Sequence, residues 1–303
     1  MQNLKRILVV FEPKKDTQVA LKRAMELAKY IKDAQITVLR LVHDYAFDMI
    51  VLNRKKLDTT EEEVIKAHQD DLDKTIALYN KDNYNIQGKV VFTKDIATGI
   101  IKELNTNKYD LIIKGSNQHG ILDSIIFTPI DWFILRKSPI PVIIAKDHEW
   151  NASAPIVVAV DFSDDRNKKL SVILLRQAQL LSTITKAKIH VVNAVPIILP
   201  SVIIEIPNYS PEVYSNSILE EHRQRLHKFA KDHNIGSEYC HISEGMPDDI
   251  IPQLCQKLNP QAVFIGSLGR EGIQAALVGN TCEEIADYTD ADLFVYNIKI
   301  SKE

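Results

Sequence analysis

The stretch Ile7-Leu-Val-Val-Phe-Glu12 is an apolar run that ends in an acid, and Ile156-Val-Val-Ala-Val-Asp161 repeats it about 150 positions later. Two further pairs keep nearly that offset. Asp110-Leu-Ile-Ile-Lys-Gly-Ser116 matches Gln261-Ala-Val-Phe-Ile-Gly-Ser267, and Pro141-Val-Ile-Ile144 matches Asp292-Leu-Phe-Val295. The chain therefore reads as a head-to-tail duplication joined near Lys146 to Pro155, with domains expected at residues 1–147 and 153–303. A length of 303 residues suits two domains of ordinary size.

Short continuous apolar runs suit strands buried on both faces, which is how a parallel sheet covered by helices reads. Besides the two runs above, strands are expected at Ile36–Val42, Lys89–Phe92, Leu111–Lys114 and Val142–Ala145. Their counterparts are Lys188–Ala194, Ser237–His241, Ala262–Ile265 and Leu293–Ile298. Helical spacing fills the gaps. After Asp16, a candidate cap, Ala20, Ala24, Leu27, Ala28 and Ile31 share one face; Ser163 is the candidate cap of the counterpart, with Leu170, Leu174, Ala178 and Leu181 inward. Each half is thus α/β, five strands alternating with four helices. Right-handed crossovers make this two tandem five-stranded doubly wound parallel sheets, whose ligands sit beyond the carboxyl ends of the strands where the winding reverses.

Composition narrows the function. Hydrophobic residues are 45% and charged residues 25%, as in an ordinary folded protein. Lys5 and Arg6 lead into only five apolar residues, too few for a signal-peptide core, and no apolar run is long enough for a membrane span, so a cytoplasmic address is expected. Residues 1–150 hold 23 basic and 21 acidic side chains, and the remainder 14 and 19, so neither half has the basic balance that direct nucleic-acid binding requires. Cys240, Cys255 and Cys282 fit neither a disulfide framework nor a metal knuckle, and read as reduced, packed thiols.

The strand Ala262–Ile265 runs into Gly266-Ser-Leu-Gly269, and nine residues later comes Gly279-Asn280-Thr281. Glycines here let backbone amides turn toward an anion, and a helix starting near Gly279 adds its positive end. If the first and fourth strands adjoin, Asp161 lies beside this loop, where a carboxylate can accept hydrogen bonds from a ribose or base. Glycines after strands also serve plain tight turns, so the local pattern leaves both readings open.

The duplicated halves, Asp161 and the Gly266-x-x-Gly269 loop followed by Gly279-Asn280 resemble the universal stress protein family. Ile126-Phe-Thr-Pro-Ile-Asp-Trp132 and Leu135-Arg-Lys-Ser-Pro139 are similar to its tandem two-domain members. The resemblance implies an adenine-nucleotide alpha-hydrolase-like fold and, in the second half, ATP held across Asp161, Ala194, Ile265, Gly266, Gly269, Gly279, Asn280 and Thr281. Asn280 departs from the family's Ser or Thr, although its amide can still donate to phosphate. The first half departs further: Glu12 replaces the aspartate, Gln118 and Thr128 stand at glycine positions, and Pro129 takes the hydroxyl position with no amide hydrogen to offer. That half is expected to have lost nucleotide binding. The resemblance also implies that the two domains pair within one chain, as single-domain members pair in homodimers.

Three functions follow as expectations. The first is a non-catalytic cytoplasmic stress-response protein that promotes survival, including tolerance of DNA-damaging agents, with unspecified protein partners. The second is a carrier or sensor of an apolar, lipid-like metabolite, suggested by Val195-Pro-Ile-Ile-Leu-Pro-Ser-Val-Ile-Ile-Glu-Ile-Pro207 and the apolar Tyr45 to Leu52, which equally suit an interface. The third is a weak nucleotide hydrolase, disfavoured because the chain lacks a phosphate loop with its lysine.

Other residues carry bland readings. His222 and His227, five apart on a helix, do not make neighbouring metal ligands and read as surface residues, and no metal site is expected. His119 reads as a solvated loop residue, Cys282 as an inert thiol, Glu61-Glu62-Glu63 as a helix start, and Trp132 and Trp150 as packing residues.

Overall fold

A computed structural model describes residues 4–13, 15, 17–43, 61–116, 128–195, 211–267, 285 and 290–297. These fall into two compact units that part between Asp147 and His148. The first unit runs β1 (Arg6–Val10), α1 (Val19–Ala28), β2 (Gln35–His43), α2 (Glu61–Tyr79), β3 (Asn85–Thr93), α3 (Ile96–Thr106), β4 (Leu111–Gly115), α4 (Pro129–Lys137) and β5 (Val142–Ala145). Its strands lie in the order β3-β2-β1-β4-β5, every neighbour parallel, with Ile7 opposite both Ile36 and Leu111.

The second unit runs β6 (Ile156–Ala159), α5 (Asp165–Thr185), β7 (Ile189–Val195), α6 (Pro211–Asp232), β8 (Cys240–Glu244), α7 (Pro247–Leu258), β9 (Ala262–Ser267) and β10 (Asp292–Asn297). Its order is β10-β9-β6-β7-β8, again parallel throughout. The stretch where a fourth helix is expected lies outside the described residues. In both units the first and fourth strands adjoin, so the winding reverses at β1/β4 and at β6/β9.

The core follows from the sequence pattern. Ile7, Leu8, Val9 and Val10 are buried, as are Ile156, Val157 and Val158, because helices cover both faces of these central strands. The inward faces of α1 and α5 are buried at every expected position: Ala20, Ala24, Leu27, Ala28, with Ile31 just beyond, and Leu170, Leu174, Ala178 and Leu181. Each fully buried leucine or isoleucine stabilises the fold by roughly 1.5–3 kcal/mol.

Two local expectations are corrected. The cap of α5 is Asp164, whose carboxylate accepts from the Asn167 amide at 2.8 Å, while Ser163 turns its hydroxyl to Asp161 instead. A carboxylate accepts more strongly than a hydroxyl at a positive helix end. Residues Ser237–Tyr239, expected to open a strand, form a 3-10 turn, and pairing begins at Cys240 opposite Val191. Asp16 lies outside the described residues; Gln18 precedes α1, its amide bridging the backbone N–H and carbonyl of Glu12 at 3.2 and 2.9 Å. Among the described residues no helix is long and apolar enough to cross a membrane.

Trp150 and Trp132 pack, as expected. Trp150 stacks obliquely on Phe294 and donates its indole N–H to the buried Asp292 carboxylate at 3.0 Å, while Arg136 lies over the ring of Trp132. Asp292 also meets His148 Nε2 at 3.2 Å, and the Gln261 side chain bonds the Asn151 amide and carbonyl. These contacts fasten residues 148–151 to the second unit.

Candidate functional site

The reversal at β6/β9 opens where the second unit's polar side chains gather. Asp161 lies two residues past β6 and is exposed. Its carboxylate accepts from the Ser163 amide at 2.8 Å and the Ser163 hydroxyl at 3.0 Å. Its backbone is held by the buried Ser171 of α5, whose Oγ accepts from the Asp161 N–H at 2.9 Å and donates to its carbonyl at 3.1 Å. The turn is thus fixed from beneath and the acid is presented outward.

Asn193 supplies a second support. It is a polar residue buried within an apolar strand, so its amide must be satisfied inside the protein. Its Nδ2 donates to the Val160 carbonyl at 2.8 Å, just before Asp161, and that bond sets the amide's orientation. Asn193 Oδ1 then faces His222 Nδ1 at 2.8 Å. Since Oδ1 can only accept, Nδ1 carries the hydrogen, and the neutral ring keeps its lone pair on Nε2. Burial chiefly lowers the His222 pKa; Arg225 lowers it further, and Glu221 and Asp161 oppose.

His222 is thus a half-buried residue with Nδ1 engaged by Asn193 rather than a fully solvated one, whereas His227 is exposed as expected. Helical spacing places two residues relative to each other but does not say which side of the helix meets β7. The missed signal was Asn193, an amide set between Val192 and Ala194 in the largely apolar strand β7.

Of the eight nucleotide residues implied by resemblance, Asp161, Ala194, Ile265 and Gly266 sit at the carboxyl ends of adjoining strands β6, β7 and β9 or just past them. Gly269, Gly279, Asn280 and Thr281 lie outside the described residues, as does Cys282. Gly266 has a packing reason of its own: a Cβ there would overlap the Leu170 side chain of α5. The apolar segments Tyr45–Leu52 and 196–207 also lie outside the described residues, with only Val195 seen, buried at the end of β7.

The corresponding place in the first unit is filled by its own side chains. Glu12 is buried, and its carboxylate lies so close over Gly115 that a Cβ there would collide with it. Glu12 Oε1 pairs with Lys15 Nζ at 2.9 Å and lies 3.7 Å from Lys114 Nζ; Lys114 also pairs with Asp131 at 2.8 Å. Lys15 donates to the Ser116 carbonyl and Lys114 to that of Gly115. Two acids and two lysines make a neutral set, as burial of charge requires. Glu12 Oε2 has no hydrogen-bond partner among the described residues.

Thr128 and Pro129, standing at the altered glycine and hydroxyl positions, start α4. The Thr128 hydroxyl accepts from the Asp131 amide at 3.3 Å, and the Asp131 carboxylate accepts from the Thr128 N–H at 2.7 Å, with Pro129 in the first turn. The helix end that could face an anion is already met by an acid of the chain. Gln118 and His119 lie outside the described residues.

Among the described residues no three His, Cys, Asp or Glu side chains are grouped to hold a metal ion. Burial raises the pKa of Cys240 and pushes that of Cys255 up to about 12.

The profile of the Universal stress protein family matches residues 3–146 and 153–297. The chain is 32% identical over 298 residues to Universal stress protein E of Photorhabdus laumondii, covering 97% of this chain and 95% of that relative. It is 30% identical over 299 residues to Universal stress protein E of Escherichia coli K12, covering 97% and 94%. A functionally unknown protein of Pseudomonas aeruginosa PAO1 has a solved structure that aligns with a TM-score of 0.75 at 26% identity, over 100% of this chain and 99% of that one.

Proposed function

Because this chain belongs to the universal stress protein family, we propose that it is a non-catalytic cytoplasmic stress-response protein whose second domain, residues 153–303, binds ATP. The first domain, residues 1–147, carries a degenerate nucleotide loop in this reading. Asp161, Ala194, Ile265, Gly266, Gly269, Gly279, Asn280 and Thr281 form the site, with Asp161 toward the ribose or base and the glycine loop toward the phosphates. One observation carries this reading: Asp161 is exposed on a braced turn, whereas its counterpart Glu12 is folded down over Gly115 and neutralised by lysines. The cellular consequence is stress survival, including tolerance of DNA-damaging agents, through partners sensitive to nucleotide occupancy.

Thermal unfolding with and without ATP tests the site. A ligand at a hundredfold excess over its Kd stabilises by about 2.7 kcal/mol, and Gly269→Arg should abolish the resulting rise in Tm. An equal rise in that variant removes the assigned site. Gly266 is the wrong position for this test, since Leu170 makes any side chain there disruptive with or without ligand. Native mass spectrometry of the purified chain separates a co-purifying nucleotide from a co-purifying lipid-like ligand.

A further inference from the structure

His190 and His241 are the second residues of β7 and β8, so they lie at the amino ends of those strands, away from the carboxyl ends where Asp161 and Gly266 sit. His190 Nδ1 and His241 Nε2 are 2.8 Å apart. The ring centres are 5.1 Å apart and the ring planes differ by 12°. Two imidazole centres can be no farther apart than this at such a nitrogen separation, so the rings meet edge to edge in nearly one plane rather than face to face. One hydrogen lies between them, and two nitrogens of neighbouring strands are held at a single point.

Three features make this pair a donor set for a metal ion as well as a hydrogen bond. Burial lowers the pKa of both rings, and His190 and Lys257 of α7 lower that of His241 further, so both imidazoles favour the neutral form that ligates metals. His190 Nε2 and His241 Nδ1 have no hydrogen-bond partner among the described residues. Whichever ring holds the shared hydrogen can carry it on that outer nitrogen instead, which frees both facing lone pairs without breaking another bond. Both rings are also half-buried, and Tyr239 packs edge-on against His190 at 5.1 Å, so the pair is held by protein yet reached by solvent.

We propose that His190 and His241 form a two-imidazole site for a late first-row divalent metal ion, Cu²⁺ most tightly, in which the ion replaces the shared hydrogen and solvent completes the coordination. Metal–nitrogen bonds of about 2.0 Å at right angles, as in tetragonal Cu²⁺, set two neighbouring nitrogens about 2.8 Å apart, whereas tetrahedral Zn²⁺ needs about 3.3 Å. The observed separation suits the first, and the rings need only turn until both lone pairs meet at the ion. Each ring keeps one hydrogen, on its outer nitrogen, so binding releases no net proton. Lys257 opposes a dication as it opposes an imidazolium. This site lies apart from the nucleotide reading, and neither depends on the other.

The test is calorimetric titration of the untagged full chain with Cu²⁺ at about pH 7.5, in two non-coordinating buffers of different ionisation heat. One tightest site per chain is expected, with equal heats in both buffers; Ni²⁺ and Zn²⁺ should bind more weakly, and Mg²⁺, which takes oxygen ligands, not at all. His190→Gln and His241→Gln should each weaken Cu²⁺ binding by at least the roughly 10–100-fold that losing even an outer-shell partner costs. Electron paramagnetic resonance of the Cu²⁺-loaded chain should show two coordinated imidazole nitrogens. NMR of the unaltered chain should show the ring signals of His190 and His241 broadening first as Cu²⁺ is added, a readout that stands even where a variant does not fold. Affinity unchanged in both variants, or broadening that begins at other histidines, means adventitious surface binding and overturns the proposal. So does a chain that binds no Cu²⁺.

Discussion

Four imidazoles, His68, His190, His222 and His241, have pKa values lowered chiefly by burial, so the fold prefers each of them neutral. His190 Nδ1 and His241 Nε2 face each other at 2.8 Å across neighbouring strands. Between those two nitrogens there is room for one hydrogen, so one ring must keep a lone pair there, and protonating both rings would set two like charges in contact. An unfolded chain takes up protons below the ordinary value of 6.5, while the folded one resists until lower pH. These residues therefore contribute full stability above 6.5, and that contribution falls as pH drops through 6.5 toward the folded values. Urea midpoints measured from about pH 8 down to about pH 5 should decline along this course. His241→Asn should remove part of the decline; an unchanged slope would show that the pair is not its source. Asp161 and the neighbouring strand ends were legible at this scale because an acid closing an apolar run is a strong signal. Asn193, His222, Lys15 and Lys114 were not, because their roles depend on which side chains the packed helices bring opposite them.

Buried and half-exposed strands differ in how plainly the sequence declares them. Val142–Ala145 matches its expectation residue for residue, since a strand buried on both faces reads as uninterrupted aliphatics. Strands β3 and β8 carry half-buried and exposed residues, so their apolar signal is broken. Only Lys89–Phe92 was legible of Asn85–Thr93, and β8 was placed three residues early. At α4 the sequence marked Thr128 and Pro129 as losses from a nucleotide loop, whereas the structure shows them gained as a helix start. Thr128→Ala should therefore cost about 1 kcal/mol in urea denaturation, the usual value of an N-cap, and leave any ATP-dependent stabilisation unchanged. A loss of the ATP effect instead would place the ligand in the first unit.

For the molecule as a whole, the duplication was legible in repeated strand–acid runs, and two compact units are found. Their boundary is less legible, because the fastening of residues 148–151 depends on side chains remote in sequence. A second-unit fragment starting at residue 153 would leave the buried Asp292 without its bonds from Trp150 and His148, and Gln261 without Asn151. A fragment starting at residue 148 keeps them all. The longer fragment should be more stable by roughly 1.5–3 kcal/mol, the usual net worth of a hydrogen bond to a charged group. Equal urea midpoints for the two fragments would show that the fastening adds nothing.

Glu12 resting on Gly115 also bears on how the two halves can change with time. Restoring an open crevice there by one substitution strands something: removing Glu12 leaves Lys15 and Lys114 short of an acid, and altering Thr128 uncaps α4. Each such single change costs stability. The filled place in the first half is therefore a set of mutually dependent side chains, which no single substitution opens without loss elsewhere in the set.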